Sequence, residues 1–506
     1  MIENNFKRIL LYELKIETFT NQETTGFGNF EGLINKLDYI KTCGFNVIAI
    51  NDILTQYQNK FELQEIKNRY GSITDFVKCI DIYRKNQIEI APIIDIFQIK
   101  QSYINLNNML NLYDIQNSND KKQLTSLDTY LVNDSFKKIN LNTIANLITY
   151  FDEILSFYVK CNIKTIIISN FDFLIEKNNL IEKNKFQFLE DIYKIVKRQN
   201  VSITVILKSN QFHKNLYSEM LKNPLNCCDY LYLTHIAKNG IISDEKSAKK
   251  QKFNFKYFVK TYKPFFNNKK IILSFGSDDI GRINSRWGDE LSYLFESAKA
   301  FILLLFAGKN SIGIYYGDEL GILRAKIRRN YEFNNPNYNE EKRFYQANNI
   351  NEDEYFAAQS FQNKWTSYTL MPWTKEPKNS KAGALNSLKI DKTNVESQLI
   401  AKDSPLNFLI NLKELIFNTF NDINFGKSKI AIYNDKKGII KISHKIKNNL
   451  DIGFLVNLTS KHLPLANISE SKIAFTTYAG KFYASLPKEL SPFEGIVLLK
   501  EKNYNE

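Results

Sequence analysis

Apolar residues recur along the chain in two rhythms. Short, almost unbroken apolar runs occupy residues 9–16, 46–50, 88–97, 163–168, 201–207, 229–233, 271–275 and 312–316. Runs of this kind predict strands covered on both faces, as in a parallel sheet. Between them the apolar spacing lengthens to the helical period. Phe30 to Thr42 predicts a helix closed by Cys43-Gly44, with the glycine as C-cap. A second helix opens near Tyr70–Phe76, with Ser72 or Thr74 as N-cap, and a third covers Leu291 to Leu305. Eight strands alternating with helices over roughly 400 residues predict a (β/α)₈ barrel with insertions. After Phe420 the texture changes to short alternating runs, Ile430–Tyr433, Ile439–Ile442, Leu450–Asn457 and Gly495–Leu499, which predict a separate small β domain. Residues 98–140 are polar and irregular, and no internal repeat occurs.

Composition narrows the function classes. The net charge of +14 raises the question of a nucleic-acid or anionic-membrane partner. The lysines are dispersed, however, and accompanied by abundant Asn and Ile, a bias that AT-rich coding produces whatever the function. There is no aromatic RNA-binding motif, zinc-finger spacing or single basic tail, so no nucleic-acid partner is expected. The five cysteines, Cys43, Cys79, Cys161, Cys227 and Cys228, are odd in number and unpaired in pattern, which suits a reducing compartment. Met1–Arg8 lacks an apolar signal core, and no apolar run is long enough to span a bilayer. The expectation is a cytoplasmic protein without a membrane span.

Candidate chemistry gathers in Ser277-Asp278-Asp279-Ile280-Gly281-Arg282-Ile283-Asn284-Ser285-Arg286-Trp287-Gly288-Asp289, directly after the seventh strand. Carboxylates just past a strand end and before a helix lie where an α/β barrel places its active site. An N-cap with a salt-bridged loop would give the same pattern. The stretch resembles Asn-His-Asp-Gln-Pro-Arg-x-x-Ser-Arg-Phe-Gly-Asp of glycoside hydrolase family 13, the α-amylase family, in its α-glucosidase and oligo-1,6-glucosidase branch. Phe27–Ile40 resembles the family's Ile-Gly-Asp-Leu-x-Gly-Ile-x-x-Lys-Leu-Asp-Tyr-Leu, and Tyr315–Gly321 its Tyr-Gln-Gly-Glu-Glu-Ile-Gly. Met371-Pro372-Trp373, Asn394–Gln398 and Asp403–Phe408 keep further registers of the branch. The resemblance implies a barrel over 1–97 and 141–420, a reduced domain-B-like insertion at 98–140, and a C-terminal β-sandwich over 421–506.

The resemblance also allows the family's chemistry to be checked residue by residue. Retaining glucosidases need two carboxyl groups about 5–5.5 Å apart, one attacking the anomeric carbon and one protonating the leaving oxygen. The nucleophile motif Gly-Phe-Arg-x-Asp falls on strand four, where Ser169 takes the Asp position and Ile167 the Arg position. A serine would need an adjacent base to act, and no His is near in sequence. Asp172, three residues on, is read as a solvated helix start that a register slip would turn into a substitute. The general-acid position falls on Leu207 or Lys208; a lysine of ordinary pKa is no proton donor of the required kind. Lys208 is instead expected to pair with Asp279 inside the old pocket. Asp279 takes the transition-state-stabiliser position and is the one family carboxylate kept, while the family's Asn and His before it are Ser277 and Asp278. The Asp-x-x-x-Asn-His motif of strand three survives only as Asp95, with Ile99 and Lys100 at the other two positions. Arg282 and Arg286 keep family positions and, with Asp95, are the expected substrate contacts. His235 is read as a packing residue. The branch's metal loop becomes Asn21, Glu23, Thr25 and Asn29, too poor in carboxylates for a hard cation.

These readings predict no cofactor and no metal. They predict a catalytically inactive α-glucosidase-like protein, its pocket filled by Ile167, Ile99 and Lys208, acting through an unidentified protein partner. Two alternatives stand beside it. One is an active glucosidase with relocated carboxylates, pairing Asp279 with Asp278, Asp172 or Asp95. The other is a carbohydrate or sugar-phosphate binding module in which Lys208 and Lys100 meet an anionic group.

Overall fold

The computed structural model describes residues 8–20, 26–51, 53–54, 66–96, 141–172, 186–221, 227–239, 253–325, 342–343, 346–347, 349, 351–376, 388–416, 425–433, 438–446, 450–465, 472–478 and 486–501. The expected insertion at 98–140 lies outside them. Eight parallel strands close into a barrel in sequence order: β1 (Leu10–Leu14), β2 (Val47–Asn51), β3 (Glu89–Asp95), β4 (Thr165–Ser169), β5 (Thr204–Ser209), β6 (Tyr230–Leu233), β7 (Ile271–Leu273) and β8 (Ser311–Tyr315). β8 pairs back onto β1 through Leu11↔Gly313 and Glu13↔Tyr315.

Alternation along each strand sorts two apolar sets. Tyr12, Ile48, Ile90, Ile168, Leu207, Leu231 and Ile312 face outward and pack with the surrounding helices in one large core. Leu11, Ala49, Ala91, Ile167, Ile206, Tyr232 and Ile272 form a separate cluster that fills the bore. Tyr232 lies across that bore. A side chain on Gly313 of β8 would meet its ring at 2.6 Å, so glycine is what lets the tyrosine span the barrel. The interior is therefore packed, and chemistry is confined to the layer above it, at the strands' C-terminal ends.

Several element boundaries differ from the sequence expectation for identifiable reasons. Phe30–Thr42 is two helices, Phe30–Ile34 and Leu37–Cys43; the second is closed by Gly44 at φ 81°, as expected. β5 begins at Thr204 rather than Val201, because Asn200 Oδ1 accepts the Ser202 N–H at 3.0 Å and turns the chain. Val201 projects into solvent, 79% exposed. β7 ends at Leu273, where Ser274 Oγ donates to the Gly276 carbonyl at 2.8 Å. The last barrel helix starts at Leu294, not Leu291. Asp289 Oδ1 accepts the backbone N–H groups of Leu291 and Tyr293 at 2.7 and 3.0 Å and holds that stretch as a turn. Ser72 caps the helix Ile73–Lys85 in a reciprocal capping box with Asp75.

The C-terminal part is a five-stranded sheet, in the order β13 (Lys472–Thr476), β15 (Gly495–Glu501), β11 (Leu450–Asn457), β10 (Ile439–Ile446), β9 (Phe425–Tyr433), with a two-stranded sheet of β12 (Leu463–Pro464) and β14 (Glu489–Leu490). Ile439, Leu455, Ile496 and Leu498 pack against Leu463 and Leu490 of the small sheet. Ile440, Ile442, Phe454, Val456 and Val497, of opposite parity, join the core of the barrel's outer helices. The β domain is thus docked through one whole sheet face, and His444 Nε2 hydrogen-bonds the Ala307 carbonyl across that contact at 2.6 Å. No described helix is long and apolar enough to cross a membrane.

Candidate functional site

The layer above the packed bore holds an ion cluster. Lys208, at inward parity near the end of β5, places its Nζ 2.6 Å from Glu13 Oε1 of β1 and 3.2 Å from Asp278 Oδ1 after β7. Leu207 faces the outer core, so Lys208 is the residue that enters the barrel. Tyr232 donates to the other Glu13 oxygen at 2.8 Å, and Lys15 approaches Asp278 Oδ2 at 3.9 Å. Glu13 is 1% exposed and the Lys208 side chain 8%. Burial alone would pull the Lys208 ammonium down, but Asp278 and Glu13 reverse this and hold it well above an ordinary lysine. Burial would raise Asp278; Lys208 and Lys15 win and hold it well below the usual carboxylate range. The ammonium therefore keeps its proton and Asp278 stays ionised.

Ser169 sits beside this cluster, in register with Lys208 on one side and Asp95 on the other. It is buried, and Ile167 lies one inward step below it. Asp95 Oδ2 accepts from Asn170 Nδ2 at 2.9 Å. Asp279 Oδ2 accepts from Asn210 Nδ2 at 3.0 Å and from Ser277 Oγ at 3.2 Å, and Asn210 Oδ1 in turn accepts from Lys238 at 3.3 Å. The expected Lys208–Asp279 ion pair is thus replaced by Lys208 with Glu13 and Asp278. Farther round the rim, Glu17 accepts from Tyr368 and Tyr70, and Lys15 lies over the Tyr368 ring.

Other expectations are corrected. Asp172 is not a solvated helix start: it is 5% exposed and bonded by the hydroxyls of Ser209 and Tyr217. Ser209 follows Lys208 and has outward parity, so this group is separate from the mouth. Arg282 and Arg286, expected at a ligand, are buried within the loop wall. Arg282 donates to the Tyr316 carbonyl at 2.5 Å, Thr369 Oγ1 at 2.9 Å and Asp318 Oδ1 at 3.3 Å. Arg286 donates to the carbonyls of Gly281 and Ala237 at 2.7 and 2.6 Å. Both fix the shape of the loop that carries Asp278 and Asp279. His235 is buried, takes the Thr261 carbonyl at 3.2 Å and is pushed down to about 4 by burial, which keeps it neutral. Asn21, Glu23, Thr25, Ile99 and Lys100 lie outside the described residues; Asn29 caps a helix through the Gly32 N–H at 2.8 Å. Among the described residues no three His, Cys, Asp or Glu side chains gather as metal ligands.

Two contributors are absent from the sequence reading. Glu13 shares inward parity with Leu11, and an acid at that parity in an apolar strand was the available signal. Tyr232 carries no signal of its own, because its role depends on Gly313 facing it from β8. With the barrel and its mouth described, the comparison with known proteins is specific. The alpha-amylase catalytic domain matches residues 16–101 and 171–415. The chain belongs to the alpha-amylase family. Within that family, local similarity reaches 40% identity over 55 residues with an oligo-1,6-glucosidase of Heyndrickxia coagulans, 11% of this chain and 10% of that protein. A trehalose-6-phosphate hydrolase of Bacillus subtilis is 26% identical over 91 residues, 17% of this chain and 16% of the relative. These matches span a small part of each relative's length. Likeness of fold extends over nearly the whole chain. A Bacillus licheniformis trehalose-6-phosphate hydrolase superposes with TM-score 0.77 at 16% identity, covering 98% of this chain and 99% of the other. An isomaltulose synthase from Klebsiella sp. LX3 gives 0.75 at 16%, covering 97% and 99%. At such identities the likeness concerns the fold alone.

A permanently charged ammonium stands between two carboxylates. Its strand neighbour is a hydroxyl, and Asp279 is held by neutral donors. The group can position charge and donate hydrogen bonds; burial, with Asp278 adding to it, holds the Glu13 carboxyl above the ordinary carboxylate range against the pull of Lys208, while Lys208 and Lys15 keep Asp278 ionised.

Proposed function

We propose that this chain is a non-catalytic member of the alpha-amylase family that acts by binding or assembly, with an unidentified protein as partner in a cytoplasmic setting. The observation that carries the reading is the Lys208 ammonium, 2.6 Å from Glu13 and 3.2 Å from Asp278, in the layer where the family's acids converge. A glycosyl transfer by double displacement needs a nucleophilic carboxylate and a proton donor on opposite sides of one acetal. Ser169 supplies neither, and Lys208 is held in its charged form. Tyr232, Ile167 and Ile206 occupy the space below, which supports a filled pocket.

The reading with relocated carboxylates finds less support. Asp278, kept ionised by two lysines, is no proton donor, and Asp172 is turned into a separate buried group. The sugar-phosphate reading loses Lys208, whose charge is already matched by two acids. Purified protein is expected to show no turnover of p-nitrophenyl α-glucoside, isomaltose or trehalose 6-phosphate. Turnover abolished by Asp279→Asn would overturn the proposal. Co-purification from the native cell, with and without a surface charge reversal, would identify the partner.

A further inference from the structure

Behind the mouth, between β7, β8 and the helix Leu294–Phe306, lies a cavity of about 30 Å³ lined mainly by apolar side chains but also by Asp318 and Glu319. That is room for about one or two waters. Each of these acids keeps one buried oxygen, Asp318 Oδ2 and Glu319 Oε2, with no hydrogen-bond partner among the described residues. Their other oxygens are committed. Asp318 Oδ1 takes Arg282 at 3.3 Å. Glu319 Oε1 takes two hydroxyls, Tyr12 of β1 at 2.5 Å and Tyr39 of the helix Leu37–Cys43 at 2.7 Å. Glu319 is 0% exposed.

The charge balance is uneven. Arg282 answers Asp318, with Arg286 adding a weaker attraction. Among the described residues, the titratable groups acting on Glu319 are Tyr12, Tyr39, the Asp318 carboxylate and the Cys43 thiol, none of them a cation. Lys413 acts on Cys43 from the helix Pro405–Glu414, and Tyr315 and Tyr316 flank Arg282 on the far side of Asp318. An ionised carboxylate buried without a counter-charge is strongly disfavoured, and protonation is the available relief. Asp318 is also braced to the loop that carries Asp278 and Asp279: Arg282 belongs to that loop, and Gly276 lacks a side chain where Asp318 Oδ2 packs.

We propose that Glu319 is a proton-operated lock, which when protonated holds β1, the helix Leu37–Cys43 and the loop after β8 together and, through Asp318 and Arg282, steadies the loop bearing Asp278 and Asp279. Burial, with Asp318 adding to it, pushes Glu319 up to about 7 against the pull of the two tyrosine hydroxyls. A carboxyl whose proton affinity rises on folding stabilises the fold below its unfolded value and gives that stability up as pH rises through its folded value. The lock is therefore closed in mild acid and released above neutrality.

The test compares the full chain with Glu319→Gln, whose amide keeps an acceptor for both tyrosines and places a donor at the cavity. Between about pH 5 and pH 8 the folded-to-unfolded ratio of the wild type should fall relative to the variant on the order of a hundredfold. Amide exchange in residues 276–286, corrected for its intrinsic pH dependence, should accelerate in the wild type and not in the variant. Parallel pH profiles for the two proteins would overturn the lock, and exchange unaffected by the substitution would overturn its link to the mouth. Should Glu319→Gln not fold, Tyr39→Phe removes one donor to the carboxylate and must move the wild-type transition to higher pH; an unmoved transition contradicts the proposal. None of these readouts depends on whether the mouth is catalytic.

Discussion

A single lysine changes the chemistry of this barrel more than any other residue. Lys208 is buried, paired and held in its charged form, and it stands in register with Ser169 of β4. Removing one partner from a buried pair leaves an uncompensated charge. Lys208→Ala should therefore destabilise the protein by about 3–5 kcal/mol, measured by urea denaturation. Replacing Lys208→Met together with Glu13→Gln should restore part of that loss, because the buried Glu13 charge goes with its partner and Asp278 keeps Lys15 at 3.9 Å. A destabilisation of Lys208→Ala below about 1 kcal/mol would mean that water reaches Glu13 and the cluster is not dry. Arg282 makes a comparable case in the loop wall. Arg282→Met abandons the Tyr316 carbonyl, Thr369 and Asp318 together and should cost about 3 kcal/mol or more, with faster amide exchange in residues 276–286. At this scale the sequence was legible for position along a strand: Ser169 ends β4 and Lys208 stands one residue before the end of β5. It was mute where function depends on who faces whom across the bore. Glu13 meets Lys208 from a position 195 residues away, a contact no local pattern encodes.

The strands were legible because a sheet buried on both faces writes an unbroken apolar run, and all eight runs became barrel strands. Their ends were less so. Asn200, Ser274 and Asp289 each offer the backbone a side-chain bond that competes with the next turn of strand or helix, and each displaced a boundary by two or three residues. The break within 30–43 was not signalled by its apolar spacing, yet it delivers Tyr39 to Glu319. The packed bore depends on elements fitting across it. A methyl group on Gly313 would enter the Tyr232 ring at 2.6 Å. Gly313→Ala should destabilise by about 1–3 kcal/mol, read as a lowered urea midpoint, and Tyr232→Leu in the same chain should recover part of it. An unchanged midpoint for the single variant would mean that the tyrosine does not span the bore.

Across the whole molecule, a closed eight-stranded parallel barrel and a docked β domain surround a mouth that holds an internal ion cluster of Lys208, Glu13 and Asp278. A fold of this family hosts many functions, so the site and not the architecture decides what the chain does. The contact between barrel and β domain makes its own prediction. Burial pushes His444 down to about 4, while its bond to the Ala307 carbonyl acts the other way. A histidine kept neutral by folding contributes stability above its unfolded value near 6.5, and that stability is lost as pH falls toward about 4. His444→Gln should flatten the acid limb of the stability profile by up to about 3 kcal/mol, whereas an unaltered limb would place the acid sensitivity elsewhere.

The central proposal is that the mouth does not capture a sugar, since Ser169 and Lys208 stand at the positions that the resemblance gives to the nucleophile and the acid. Intact-mass spectrometry after prolonged incubation with an activated fluorinated α-glucosyl fluoride, which traps the covalent intermediate of retaining glucosidases, tests this directly. The protein should emerge with its mass unchanged, while a glucosyl adduct mapping to Glu13, Asp95, Asp278 or Asp279 would contradict the account.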